Sequence, residues 1–355
     1  MKRVRAIRIL GAGISGLTAA ITLARAGYPV EVYEKNKKAV MRFDNDIHGL
    51  ENWSSKEDVL HKLKRMGIDV NFDCDAFSSM DISNGAGKAT AKAKRPHFYL
   101  VKRGVEKGTI DYSLQKQAKS LGASIYFGRR LPVEKADIIA TGPLFNRVFA
   151  AAKGITFDTV HGDVAAMLLG GDMAYKGYSY LLITKNKGVL CTVVFHDFAR
   201  LEKCYKNTEE YFLRQYNLKI ENPRKAGGVG GFSFSRHFKD QQGKLYVGEA
   251  AGLQDFLWGF GLRYAIESGY LAATSIIKGM DYNALAEKQF RSRLKAGIVN
   301  RYLWERFGGR ISSESVKHPQ FFLKSLHSWH NFNLAQRVLY PKAKAYIKKK
   351  YPTAL

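Results

Sequence analysis

Residues 7–35, IRILGAGISGLTAAITLARAGYPVEVYEK, restrict this chain more than any other stretch. An apolar strand (Ile7, Ile9, Leu10) runs straight into Gly11-Ala12-Gly13-Ile14-Ser15-Gly16. An amphipathic helix follows, stops at Gly27 with Pro29 just beyond, and gives way to a second strand ending in Glu34 and Lys35. Each glycine has a mechanical role. Gly11 allows the tight turn, Gly13 lets the backbone approach a pyrophosphate, and Gly16 lets the helix pack on the strand. The helix N-terminus, with Ile14 and Ser15, offers free N–H groups and a positive end to phosphates, while Glu34 is placed to accept from ribose hydroxyls. A lone GxGxxG means little, but strand, helix, second strand and acid in register predict an adenine dinucleotide site.

At 355 residues the chain can bury a large core, and two lobes are expected rather than one. The first strand begins almost at Met1, leaving no room for a signal peptide, and no apolar run approaches the roughly 20 residues that span a bilayer. Cys74, Cys191 and Cys204 lie far apart without CxxC spacing, which points to reduced thiols in the cytoplasm. The net charge of +26 is the unusual number. It reads either as attraction to a phosphorylated substrate or an anionic membrane surface, or as a plain solvated basic surface. No nucleic-acid-binding pattern accompanies it, so no nucleic acid partner is expected.

Helices are expected over residues 56–66, 110–121 and 202–216, and strands over 97–102, 123–127, 136–140 and 244–247. Residues 178–184 and 189–195 flank Lys185-Asn186-Lys187-Gly188 as a hairpin. The glycine-rich run 227–231 reads as a flexible or flavin-side loop, and the chain beyond Gly279 as largely helical. Residues 340–351 (YPKAKAYIKKKY) read as a tail that is either solvated or rests on a membrane.

A second motif lies at residues 244–279, KLYVGEAAGLQDFLWGFGLRYAIESGYLAATSIIKG. A strand ends at Gly248-Glu249, a small-residue loop follows, and Gly259-Phe260-Gly261-Leu262 opens a long helix capped at Gly279. Ala265, Ser268, Gly269, Ala272 and Ala273 give that helix a small face for close packing.

The segment resembles the GDAAG…GxGxxxAxxSGxxAA signature of FAD enzymes in the p-hydroxybenzoate hydroxylase-like superfamily, and within it the geranylgeranyl reductase family. The resemblance implies an α/β fold: a Rossmann-like FAD-binding domain, a β-sheet substrate domain of α+β character, and C-terminal helices. The expected division is 1–150 with 226–280 for FAD, 151–225 for substrate, and 281–355 for the helices. In that signature the acid contacts the ribityl chain, and Glu249 stands where the family usually has Asp. The helix from Gly259 would aim its positive end at the flavin pyrimidine edge. Arg103, followed by Asp111, Leu114, Ala118 and Gly122, is similar to the family segment whose arginine sits near the cofactor. ADIIATG, with Thr141 and Gly142, resembles a shortened form of the strand that closes around the dinucleotide. Residues 42–49 align loosely with the family's RxCGD loop beside the flavin; Arg42 falls there, but the cysteine is absent. Gly177-Tyr178-Ser179-Tyr180 resembles YxWxFP, with Tyr180 in place of Trp.

The resemblance implies an FAD-dependent oxidoreductase reducing double bonds of a polyprenyl lipid, with NAD(P)H or an acidic ferredoxin-like protein as electron donor. A flavin monooxygenase and a flavin electron-transfer protein remain the alternatives. Asp44, Asp46 and His48 are candidate proton donors because their loop should approach the flavin. Tyr178, Tyr180, Phe256 and Trp258 are the candidate substrate-contacting side chains. His327 and His330 lie three apart with no carboxylate or thiol nearby in sequence to complete a metal set, so no metal is expected. The expected location is cytoplasmic, with peripheral contact to the inner membrane face.

Overall fold

The computed structural model describes residues 5–38, 45–143, 148–233 and 238–352. The first motif folds as its spacing dictates: β1 (Ile7–Leu10), α1 (Ile14–Arg25) and β2 (Val30–Glu34), with β1 and β2 parallel. Their alternate residues Ile9, Val30 and Val32 are buried against Leu17 and Ile21 of α1. Burial of these side chains contributes on the order of 2 kcal/mol each.

Eleven further strands and two helices follow in sequence. They are β3 (Ile47–Glu51), α2 (Val59–Arg65), β4 (Cys74–Phe77), β5 (Ser79–Ser83), β6 (Lys88–Lys92), β7 (Phe98–Lys102), α3 (Ile110–Ser120), β8 (Ser124–Phe127), β9 (Ile138–Ile139), β10 (Val148–Asp158), β11 (Val164–Leu168), β12 (Tyr178–Thr184) and β13 (Lys187–Phe195). Then come α4 (Leu201–Tyr216), β14 (Glu221–Gly231), β15 (Leu245–Tyr246), α5 (Leu262–Lys278), α6 (Tyr282–Lys317), α7 (Pro319–Ser328) and α8 (Leu334–Lys350). The first sheet is parallel, in the order β15-β9-β1-β2-β8, and α1 packs between α3 and α5. This is an α/β fold with a Rossmann-like core, additional sheets and C-terminal helices.

Sheet pairing cuts across the expected domain boundaries. The second sheet runs β14-β10-β13-β12-β11-β5-β6, so residues 79–92 join it through the parallel pairing of β5 with β11. At the other edge β14 carries the run 227–231, expected to be a loop, as a strand antiparallel to β10. Gly227 has φ +134, and a Cβ there would stand 2.3 Å from the Ala152 carbonyl oxygen, so glycine is what admits this close pairing. The third sheet, β3-β7-β4, is antiparallel, and its strands fall in sequence between β2 and β8 of the first sheet.

The C-terminal segment is neither a solvated tail nor free to lie flat on a membrane along its whole surface. It folds as α8, capped by Asn333 and Gln336 in a reciprocal capping box, with Gln336, Ala343 and Ile347 buried against α6. Glu305 of α6 accepts from the hydroxyls of Tyr346 and Tyr351 and pairs with Lys350 and Lys176, fixing the end of α8. Among the described residues no helix is long and apolar enough to cross a membrane.

Candidate functional site

Gly11 adopts φ +107, and a Cβ there would lie 2.3 Å from the Ala140 carbonyl oxygen. The first turn therefore presses against the end of β9, which brings Thr141 and Gly142 beside it. At Gly16 a Cβ would meet the Gly11 carbonyl oxygen at 2.1 Å, so this glycine is required for the helix to start so close to the strand. Gly13 differs: nothing lies within 4 Å of where its Cβ would stand. It is the N-cap of α1, with no side-chain cap and no acid in the first turn, so the amides of Ile14 and Ser15 are left for another acceptor. Glu34 binds the Ala12 and Asn36 amides at 3.0 and 2.9 Å, which holds its carboxylate at the mouth of this turn. Lys35 beside it is exposed.

The second motif meets the first at Ser15. A Cβ on Gly269 would come within 2.2 Å of the Ser15 carbonyl oxygen, and one on Gly248 within 2.8 Å of its hydroxyl. The Gly248 amide donates to Ser268 Oγ at 2.8 Å, which ties the turn bearing Glu249 to α5. From that crossing α5 runs eight residues back to Gly261, roughly 12 Å along the helix axis. Gly261 caps α5 with neither a side-chain cap nor an acid in its first turn, as Gly13 does for α1. Two bare helix N-termini are thus joined by one helix–helix contact.

Asp255 shapes the loop ahead of Gly261. Its Oδ1 accepts from the Leu257 and Trp258 amides at 3.0 and 2.5 Å, and its backbone N–H donates to the Phe260 carbonyl at 2.9 Å. Its Oδ2 faces Nε2 of His330 at 3.2 Å, so the carboxylate partner that the sequence did not supply for this histidine lies 75 residues away. His330 Nδ1 donates to the Leu326 carbonyl, and a proton on Nε2 completes the bond to Asp255. The same nitrogen cannot also accept from Trp53, whose ring then serves as an edge contact at 6.1 Å. Burial opposes the charge on His330, but Asp255 outweighs it and raises the imidazole above its ordinary value. Among the described residues no group of three metal-ligating side chains occurs.

That pair predicts a pH-dependent loop. A raised histidine adds stability that is complete below its unfolded value, about 6.5, and is lost as pH rises through the folded value. Asp255→Asn should cost about 1–3 kcal/mol in urea unfolding and flatten this alkaline slope. An unchanged slope in the variant would assign the titration elsewhere.

The candidate proton donors sit on the flank of the loop. Asp46 Oδ2 lies 3.2 Å from His48 Nε2, and His48 Nδ1 is 3.0 Å from Arg103, itself held by Asp111 through two bonds of 2.8 and 2.9 Å. The Phe260 ring packs against β3 at Gly49, next to His48: a Cβ on Gly49 would be 2.6 Å from the ring. Asp46, His48, Arg103 and the second glycine turn therefore meet in one place. Arg42 and Asp44 lie outside the described residues.

Beside the Asp255 loop is an apolar cavity of about 20 Å³, lined by Trp53, Met80, Met167, Trp258, Phe260 and Leu326, with His97 at its wall. Burial, aided by the charge of Arg95, holds His97 down to about 4, so its imidazole is neutral. Of the four expected substrate side chains only Trp258 lines this cavity. Tyr178 buttresses it, donating to the Trp258 carbonyl and stacking at 6.0 Å on Tyr180, whose hydroxyl burial pushes well above its ordinary value. Phe256 turns the other way: it stacks on Phe232 at 4.0 Å within an aromatic core with Phe149. Trp53 comes from the loop after β3, Met80 and Met167 from neighbouring strands of the second sheet, and Leu326 from α7, and no local motif marks them.

A family model described as an NAD(P)-binding Rossmann-like domain matches residues 9–47. No curated protein matches the chain. Among solved structures, a geranylgeranyl bacteriochlorophyll reductase-like protein from Thermoplasma acidophilum superposes with a TM-score of 0.67 at 16% identity, over 98% of this chain and 97% of that one. The flavin-dependent brominase Bmp2 gives 0.64 at 13% identity, over 97% and 99%. A probable FAD-dependent monooxygenase from Pseudomonas aeruginosa gives 0.57 at 13%, over 92% and 98%. The fold is that of flavin-dependent oxidoreductases. The family match falls on β1, α1 and β2, the same unit that the glycine spacing marks.

Proposed function

We propose that the chain is an FAD-dependent oxidoreductase that reduces carbon–carbon double bonds of a polyprenyl lipid. The observation that carries the FAD reading is the pair of uncapped helix N-termini, at Gly13 and Gly261, linked through Ser15 by the crossing of α1 and α5. Residues 11–16 and Glu34 would hold the diphosphate and ribose, with Thr141 and Gly142 closing over them. Gly248 and Glu249 would face the ribityl chain, and the turn 259–262 the ring, with Arg103 nearby. FAD bound there would provide hydride chemistry for an acceptor carbon, or oxygen chemistry in the monooxygenase alternative.

The cavity wall supports an apolar substrate, and its size sets a condition. At about 20 Å³ it holds no more than a water, so a lipid chain enters only when Met80 and Met167 swing aside. Trp258 Nε1 is buried without a hydrogen-bond partner among the described residues. Asp46 and His48 are the nearest candidates to supply the proton. The electron donor, NAD(P)H or an acidic ferredoxin-like protein, would approach the basic surface.

Anaerobic incubation of the FAD-loaded, chemically reduced protein with a geranylgeranyl lipid tests the reading. Gain of two hydrogens per double bond without oxygen is expected. Product bearing one added oxygen atom, formed only in air, would replace lipid reduction by monooxygenation. No product from either reaction, with flavin still bound and reducible by a protein donor, would favour electron transfer.

A further inference from the structure

We infer that the outward face of α8 docks the protein on an anionic phospholipid surface. One side of this helix is committed to α6 through Gln336, Ala343 and Ile347. On the opposite side the i, i+4 spacing puts Leu334, Val338, Lys342, Ala345 and Lys349 in one exposed stripe, with Arg337, Lys344 and Lys348 alongside. Leu334 and Val338 are 77% and 74% exposed, one turn apart. A single exposed apolar side chain needs no explanation. Two adjacent ones at the head of a helix whose remaining outward stripe is basic apart from Ala345 form an interfacial pattern.

The charge has no internal counterpart. After Glu314 the sequence contains no Asp or Glu. Arg337, Lys342, Lys344, Lys348 and Lys349 form no ion pair among the described residues, whereas Lys153, Lys185 and Lys187 elsewhere are matched by Glu202, Asp75 and Asp158. An anionic bilayer satisfies both halves of α8 together: headgroups meet the cations, and the acyl boundary takes Leu334 and Val338. A nucleic acid or acidic protein segment would answer the cations but gives the two apolar side chains no apolar phase. On α7, Phe321 is 74% exposed between Lys317 and Lys324, while Leu323 and Leu326 of the same helix wall the cavity.

Sedimentation of the full-length protein with vesicles tests this, and its readout is independent of flavin or turnover. Binding is expected to phosphatidylcholine vesicles containing about one third phosphatidylglycerol, and not to pure phosphatidylcholine. The charge-neutral double variant Leu334→Gln, Val338→Gln should bind about tenfold more weakly, with thermal unfolding unchanged because both side chains are exposed. Lys348→Glu with Lys349→Glu should weaken binding about as much. Lys203→Glu with Lys206→Glu, equal in charge change but on α4, should leave it within about twofold. Wild-type binding by the glutamine variant, or equal loss in the α4 variant, would overturn the assignment in favour of unspecific attraction by net charge. Binding to duplex DNA weakened by the lysine variants while vesicle binding is unaffected would overturn it in favour of a nucleic acid surface.

Discussion

Gly13→Glu is expected to abolish FAD retention while leaving the folded chain intact. The substitution separates binding from folding because Gly13 differs from its neighbours. A side chain at Gly11 or Gly16 would drive into backbone carbonyls, so a loss of cofactor there would say nothing about a site. At Gly13 the backbone is extended, with φ −79, and the space ahead of its Cβ is open. A carboxylate placed there fills the position proposed for the diphosphate and neutralises the positive helix end that would attract it. A loss of at least about a hundredfold in FAD affinity, about 2.7 kcal/mol, is expected by fluorescence titration. The thermal midpoint measured without cofactor should stay within a few degrees of the parent. Retention of FAD by the variant would place the diphosphate elsewhere.

The second large effect is structural. Glu267 of α5 is buried at the centre of three cations: Arg263 Nε at 2.8 Å, Arg293 at 3.0 Å and Lys62 at 2.5 Å. Gln289 donates to it as well, at 2.7 Å. Glu267→Ala leaves Arg293 and Lys62 without an anion and Arg263 with only Glu51, 3.6 Å from its Nε, so a loss of about 3–5 kcal/mol is expected in urea unfolding. Burial alone would raise the carboxyl, but the charges of Arg293, Arg263 and Lys62 win and hold it below the usual carboxylate range. A depressed carboxylate adds stability that is complete above its unfolded value of about 4.5 and is lost as pH falls toward the folded one. The parent should therefore lose stability on acidification more steeply than the variant. Equal acid slopes would show that the cluster is not ionised as its geometry implies.

Much of this organisation is readable in the chain because it is local. The strand–glycine–helix unit of residues 7–34 and the α5 start and stop, at Gly261 and Gly279, follow from neighbours within a few residues of one another. The run 227–231 reads as a loop because its glycines suit one, but they serve close pairing with β10, a partner about 75 residues earlier. The Asp255–His330 bond was invisible for the same reason, since no periodicity links a loop to the end of α7. Phe256 and Trp258 are two residues apart in one apolar triplet, yet one enters an aromatic core and the other a cavity. Asp255 decides between them by fixing the Leu257 and Trp258 amides, a side-chain-to-backbone geometry that hydrophobicity does not encode. Met80 and Met167 come to the cavity on β5 and β11, whose parallel pairing no local signal announced.

Comparative titration of the purified chain with FAD, FMN and ADP tests the central claim most directly. One extended ligand spanning both glycine turns predicts a single site per chain, with FAD bound far more tightly than either fragment and with the visible bands of bound flavin. ADP binding as tightly as FAD, or no flavin binding at all, would contradict it, because the turn at Gly261 would then have no part in holding the cofactor.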